Sequence, residues 1–420
     1  MSFPYSFNAD ENADLSKHDS FIQGPPLKTF KRMQQHDPLA WCPEEDGRGF
    51  WSITRHADIM DLNKQPELLS SARGIRIEDQ SEEEYEARKT FQETDAPDHR
   101  KTRMLVNKAF SKATVAQYEQ QIRSIVVDLF EETFQEKEFD AVDKIARQLP
   151  MRMLAQILGV PAQDADWLVE RGDNLIANTD PEYSDFVVDK VDTEEYRLLP
   201  FRSPAAVDLF DYANDQLKRI KKGEDVGVLS LVKQPMKDGT CMSDAEFRNF
   251  FCLLVAAGND TTRYSIAASL HALANEKHLM QQLKANGDAL WDTATDELIR
   301  YASPTMYFRR TATRDFDYHN KTVKEGDKVI LWFAAGNRDE TVFANPDAID
   351  ITRQQNKFVS FGQGGPHVCL GMWLAKLEVK TLLQEIVKVV DGFEQTAPHT
   401  FLRSNFIGGI KKLPLAVKLK

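Results

Sequence analysis

The run SDAEFRNFFCLLVAAGNDTTRYSIAASLHALANE, residues 243–276, limits the possible folds more than any other stretch of the chain. Ser243 with Glu246 three residues on makes a capping box, which opens a helix. Continued to residue 276, that helix is about 50 Å long at 1.5 Å per residue. Its flanks are apolar nearly all round, the pattern of a helix buried on every side. Only a large core of several other helices can enclose such a rod. The chain has the size for it, with 420 residues, 42% of them hydrophobic. The centre of the run breaks the pattern: Gly258, Asn259, Asp260, Thr261 and Thr262 bring an acid, an amide and two hydroxyls into apolar surroundings.

Helical periodicity dominates elsewhere. Residues 115–134 place Ile122, Ile125, Val126 and Leu129 on one face, residues 149–160 stop at Gly159 and Pro161, and residues 371–390 form a last long helix. Residues 165–220 read as helix broken near Pro181, Pro200 and Pro204, a region suited to act as a movable cover. Strand character is confined to GFWSITR (49–55), KVILWFAAG (328–336) and a terminal hairpin in GGIKKLPLAVKL (408–419). Eight acids between residues 76 and 95 predict a solvated loop or short helix. Residues 1–26 read as a loose arm ending at Pro25-Pro26, and residues 27–420 as one mainly α domain.

The formal net charge of −12 argues against nucleic-acid binding, which needs a basic face. Four cysteines in 420 residues make no disulfide framework and none pair at metal-site spacing. The N-terminus is polar and acidic, without the charged and apolar regions of a secretory signal. No run of about 18 apolar residues predicts a membrane anchor. The expectation is a cytoplasmic protein.

Three features carry chemistry. A glycine inside a helix costs about 1 kcal/mol against alanine, and an unpaired buried carboxylate costs several kcal/mol. The GNDTT step is therefore either a kink with threonine hydroxyls bonded to preceding carbonyls, or a site where Asp260 and Thr261 relay protons into a pocket. Glu297 and Arg300 in DELIR are, alone, an ordinary i, i+3 pair. The third feature is FVSFGQGGPHVCLGMWLAK, residues 358–376. Its glycines lack the third position of the dinucleotide fingerprint. His367, two residues from Cys369, is poorly placed to be its catalytic base. A metal-ligand thiolate fits better, because a helix N-terminus and loop N–H groups stabilise S⁻ and tune a bound metal.

In this order, AAGNDTT, DELIR and FGQGGPHVCLG resemble the cytochrome P-450 family of haem-thiolate monooxygenases, over nearly the whole chain from about Lys28. The resemblance implies a helix-rich triangular prism with small β-sheets, with haem b between the long central helix and the cysteine-loop helix. It implies that Cys369 is the proximal iron ligand and that Asp260 and Thr261 deliver protons to bound dioxygen. Gly258 and Ala257 would make room over the haem. Glu297, Arg300 and Arg353 (in NPDAIDITR) correspond to a buried structural network behind the cysteine loop. His99 and Arg103 in TDAPDHRKTRMLV, Arg310 in FRRTATRD and His367 correspond to partners of the haem propionates. Ile349 stands where the family has Phe, a local packing change.

The loop from Phe361 to Cys369 is one residue longer than in many relatives, through the extra glycine of GQGGP. Such loops resemble those of bacterial members acting on sterol side chains, branched lipids or terpenoids, and FRRTATRD and GNRDETVF are similar to that group and to bacterial alkane hydroxylases. The expected substrate pocket holds Ile75, Val255, Ala256, Met306, Tyr307 and Ile407, with Ile77 as an alternative to Ile75 and Tyr307 able to orient one polar group. Their apolar character predicts a hydrophobic small molecule hydroxylated at a C–H bond. Oxidative O-demethylation of a methoxylated sugar or aromatic is the alternative, and a haem-thiolate sensor is the non-enzyme alternative, against which the Asp260–Thr261 pair argues. No reductase segment follows Cys369, so the resemblance implies an acidic ferredoxin and an NAD(P)H-dependent ferredoxin reductase. Arg100, Lys101, Lys108 and Lys112 are the expected ferredoxin contacts.

Overall fold

A computed structural model describes residues 4–5, 7–45 and 47–420. Eight helices frame the core and the site: α1 (Asp98–Val106), α2 (Glu119–Thr133), α3 (Gln148–Ile157), α4 (Ala165–Ile176), α5 (Ala205–Lys221), α6 (Asp244–Asn275), α7 (Lys277–Ala302) and α8 (Met372–Val389). The capping box that opens α6 is complete: Glu246 N donates to Ser243 Oγ at 3.2 Å and Ser243 N to Glu246 Oε2 at 2.8 Å. As its all-round apolar sequence requires, α6 is enclosed by α3, α4, α5, α7 and α8. The last helix buries Val379, Leu382, Leu383 and Ile386, the face its periodicity marks. The helix expected from residue 115 begins at Glu119, because Ser111 caps a separate short turn, Lys112–Val115.

The strands are β1 (Leu39–Cys42), β2 (Phe50–Ile53), β3 (Leu69–Ser70), β4 (Glu138–Asp140), β5 (Tyr307–Ala312), β6 (Lys328–Trp332), β7 (Val390–Gln395), β8 (Thr400–Phe401), β9 (Ile410–Lys412) and β10 (Pro414–Leu419). One sheet has the order β1-β2-β6-β5-β3, with β2 and β6 parallel and the other pairs antiparallel. The expected strand 328–336 stops at Trp332, and Phe333–Gly336 turn into one helical turn packed on Ile59 and Val359. The expected terminal hairpin does not form. Strand β9 pairs with β8, whereas β10 lies between β4 and β7.

The first residues are fastened rather than loose. Leu15 and Phe21 are buried in the main core, Ala13 N donates to Thr29 Oγ1 at 3.0 Å, and Asn405 Nδ2 donates to the carbonyls of Leu15 and Ser16. Within the acidic stretch, Ser81 caps a short helix, Glu82–Arg88, by a second capping box with Glu84. Between α4 and α5, residues 177–204 form only short 3-10 turns. This segment is clamped from the C-terminal part of the chain. Arg403 pairs with Asp189 and Asp19 and donates to Thr179 O, and Lys411 pairs with Asp180 and Glu182.

Candidate active site

The cysteine loop, residues 358–371, enters α8 two residues after Cys369. Its turn is closed by hydrogen bonds from Gly362 N to Val359 O and from Cys369 N to Phe361 O, both 2.9 Å. A Cβ on Gly365 would stand 2.2 Å from Asn63 O, so only glycine permits the approach. Asn63 uses it: its Nδ2 donates to the carbonyls of Gly362 and Gln363 at 2.8 and 3.0 Å. The amides of Gly371 and Met372 reach the Cys369 sulfur. They and the Arg103 guanidinium favour the thiolate, yet burial outweighs them and pushes the thiol up. The helix N-terminus alone therefore does not ionise Cys369; a bound metal cation would complete the job. Cys369 lies deep in the molecule but keeps accessible surface, as a side chain on an internal space does. The same holds for Ala257 and Thr261, which are accessible in the middle of the otherwise enclosed α6.

Cations and imidazoles gather around the loop. The rings of His99 and His367 lie 4.0 Å apart, and Phe91 stacks on the other side of His99. Arg103 Nη2 donates to Val368 O at 2.6 Å. Arg310 is buried and donates to Asn63 Oδ1 at 3.2 Å, and no carboxylate forms an ion pair with it among the described residues. Burial pushes Arg310 down to about 10. Burial first, then the neighbouring arginines, pushes His99 down to about 4 and His367 to about 2, so both imidazoles are neutral. His99 Nε2 and His367 Nδ1 are buried polar atoms without partners. Two arginines and two orphaned imidazole nitrogens around one thiol are the donor set a dianionic, iron-bearing macrocycle needs.

Behind the loop, Glu297 is fully buried and saturated. It accepts from Arg300 Nε and Nη2, both 2.8 Å, from Arg353 Nε at 3.0 Å, from Asn356 Nδ2 at 3.0 Å and from Asp350 N at 2.9 Å. Arg300 also donates to Asn337 O and Pro346 O at 2.8 Å. Asn337 in turn accepts from Val359 N and donates to Ser360 Oγ, joining the network to the start of the cysteine loop. Asn356 carries no motif signal, and Asn337 lies within GNRDETVF without a role assigned to it, so sequence reasoning missed both.

The polar step in α6 resolves into two faces. Thr261 Oγ1 donates to Ala257 O at 3.3 Å, and both residues share the accessible face. Asp260 points elsewhere, fully buried against Arg263, which also pairs with Asp173 of α4; Asp173 is held further by Arg147 Nε at 2.6 Å and by Asn259 Nδ2 at 3.1 Å. Asp260 and Thr261 thus share no hydrogen bond. Burial, aided by Asp173 and opposed by Arg263 and Arg147, raises the Asp260 carboxyl above the usual range. Arg263 stands at i+3 from Asp260 and was legible as a helical partner; Asp173 was not.

Several expected pocket residues are placed differently. A Cβ on Gly258 would meet the Leu154 side chain at 2.8 Å, so this glycine serves the close packing of α6 on α3 rather than space beside Ala257. Val255 faces α4 at Gly172, and Ala256 is buried. The Tyr307 hydroxyl accepts from Ile77 N at 3.0 Å and is fully enclosed, so it is spent on backbone rather than offered to a ligand. Met306 lies against Gly408, Ile407 bridges Thr305, and both are buried. Ile75 alone of the six lines a cavity of about 550 Å³, which Leu253 and Asn249 of α6 border instead of Val255.

Comparisons with known proteins agree with this geometry. The family model described as Cytochrome P450 matches residues 209–400. The linalool 8-monooxygenase of Pseudomonas putida is 32% identical over 96% of this chain and 98% of its own. A methyl-branched lipid omega-hydroxylase of Mycobacterium tuberculosis is 30% identical over 92% of this chain and 90% of its own. Among solved structures, a Mycobacterium marinum cytochrome P450 in complex with pseudoionone superposes with a TM-score of 0.84 at 29% identity, covering 99% of this chain and 98% of that one. Among the described residues no helix is long and apolar enough to cross a membrane. With relatives of this identity along nearly its whole length, the chain belongs to the cytochrome P450 family and is a haem-dependent monooxygenase.

Proposed function

We propose that this enzyme hydroxylates an unactivated C–H bond of a hydrophobic small molecule of terpenoid, lipid or steroid type, with electrons from an acidic ferredoxin. The observation that carries the reading is the division of α6 between an accessible Ala257–Thr261 face and a buried Asp260–Arg263–Asp173 network. Haem b bound through Cys369 supplies activation of dioxygen. The chain's own residues do the rest. Arg103, Arg310, His99 and His367 bind the propionates; Gly371 and Met372 amides hold the sulfur's charge; Glu297, Arg300 and Arg353 hold the loop rigid. Thr261 Oγ presents its hydroxyl at the oxygen-binding face, and the Asp260 carboxyl, raised by burial, is the titrating group on the adjoining face of the helix. The names of the relatives, which include a linalool monooxygenase, a lipid omega-hydroxylase and a steroid C26-monooxygenase from Mycolicibacterium smegmatis, support the substrate class.

The test is a screen of the haem-loaded enzyme for spin-state shifts with terpenes, steroids, fatty acids and methoxylated aromatics, followed by product analysis with ferredoxin and reductase. Shifts and hydroxylated products confined to the first three classes support the reading. Turnover only of methoxylated compounds, with loss of the methyl group, overturns it. A carbon monoxide spectrum of the reduced protein at the imidazole-type position would remove Cys369 as ligand.

A further inference from the structure

We propose that Arg76 is a carboxylate-binding residue at the outer end of the substrate cavity, so that the enzyme takes amphipathic substrates carrying a terminal carboxylate. The inference rests on the reading that this cavity admits the substrate, and it specifies the substrate's polar end. The cavity borders Leu253, one helical turn before Ala257 on α6. A molecule lying along that face therefore has one end at Ala257 and Thr261 and the other toward Arg76.

The cations on the cavity wall differ in what they already hold. Arg88 donates to Gln80 and to Arg197 O. Arg202 pairs with Glu84 at 2.7 Å, and Lys17 with Glu45 at 2.6 Å. Arg76 differs: among the described residues its guanidinium donates no hydrogen bond, its Nε is buried without a partner, and its nearest carboxylate, Glu78, stands 3.7 Å away. Of the wall's other acids, Asp79 and Glu44 hold Lys328, Asp189 holds Arg403, and Glu93 accepts from Thr90 N.

Aromatic rings fix the guanidinium. It lies 5.2 Å from the Phe406 centroid and 5.7 Å from that of Phe201. Phe201 and Arg202 both adopt positive φ, 58° and 52°, a conformation that non-glycine residues seldom take and that marks ligand clamps and similar sites. This turn sets the Phe201 ring over Arg76. A guanidinium set between two rings, with its enclosed Nε unsatisfied, is preorganised to receive a carboxylate. Glu78, which also stands 3.7 Å from His18, is the anion that a bound carboxylate would displace.

The experiment titrates the haem-loaded enzyme with dodecanoic acid, methyl dodecanoate and 1-dodecanol, and with citronellic acid and its methyl ester, reading the spin-state shift. The wild type is expected to bind each acid at least tenfold tighter than its ester. In Arg76→Leu that ratio falls to about one, Arg76→Lys restores part of it, and Glu78→Gln enlarges it. Equal binding of acid and ester by the wild type overturns the proposal, as does an unchanged ratio in Arg76→Leu with its thiolate-type carbon monoxide spectrum intact. If neutral compounds shift the spin state and acids do not, only the role of Arg76 fails. If no member of either series shifts it, while methoxylated compounds do, the substrate-class reading fails as well.

Discussion

Thr261 and Asp260 are neighbours in sequence but face different surroundings, and the consequences of replacing them differ accordingly. Thr261 presents its hydroxyl on the accessible face beside Ala257. Thr261→Ala removes that hydroxyl and leaves the fold unstrained. Electron consumption should persist while product per NAD(P)H falls several-fold and hydrogen peroxide rises, measured by parallel cofactor and product assays. Asp260 instead sits in a buried network beside Arg263, with its carboxyl raised by burial. Asp260→Asn keeps the shape but removes the titrating group, so turnover should fall roughly a hundredfold, the low end for loss of a general acid. Its solvent isotope effect should grow while coupling to product stays closer to wild type. If both variants uncouple alike, the separate roles drawn from the two faces are wrong.

At the scale of elements, α8 holds a carboxylate that nothing offsets. Glu378 is buried, its Oε2 has no partner, and burial pushes its pKa from 4.5 up to about 8. Because the folded state keeps a proton that the unfolded state releases, this group contributes stability below about pH 4.5 and loses it as pH rises toward 8. The slope is at most about 1.4 kcal/mol per pH unit. Thermal melts across pH 5–8 should show Glu378→Gln pulling ahead of wild type as pH rises, and parallel curves would refute it. The buried carboxylate of α7 is partnered instead: Glu297 accepts from five donors. Removing one member of such a network strands the others, at a cost of roughly 3–5 kcal/mol. Helices were largely legible because burial periodicity is local: the α6 cap and the α8 face follow from residue types a few positions apart. The strand ends were not. Whether 328–336 stays extended past Trp332 depends on Ile59 and Val359, and whether β9 meets β10 depends on competing partners: β8, about 10 residues from β9, and β7 and β4, about 20 to 270 residues from β10.

For the whole molecule, the expected partner surface can now be divided. Lys101 is engaged by Asp98 and Asp238, and Lys112 lies over the Trp373 ring. Arg100 and Lys108 are exposed and form no ion pair among the described residues. On a chain of net charge −12 they are the cations free to meet an acidic ferredoxin. Arg100→Glu with Lys108→Glu should raise the ferredoxin KM severalfold at low salt and leave substrate binding alone; an unchanged KM would place docking elsewhere. The pairing of Glu297 with Arg300 was legible because their i, i+3 spacing is local. The placement of Gly258 and Val255 was not, because a helix position a single residue away faces about 100° elsewhere; that of Tyr307, on β5, depends on Ile77, 230 residues away.

The Arg403 and Lys411 clamp ties three distant parts of the chain together: the N-terminal part through Asp19, the span before α5 through Thr179, Asp180 and Asp189, and the C-terminal part, where Arg403 follows β8 and Lys411 lies on β9. Opening that span to pass a substrate means separating these charges, so traffic through the mouth should respond to ionic strength while the chemistry at the haem does not. Stopped-flow release of a bound spin-shift compound should quicken as salt rises, and Arg403→Gln should be fast at every salt concentration. A release rate indifferent to both would mean that substrates pass elsewhere.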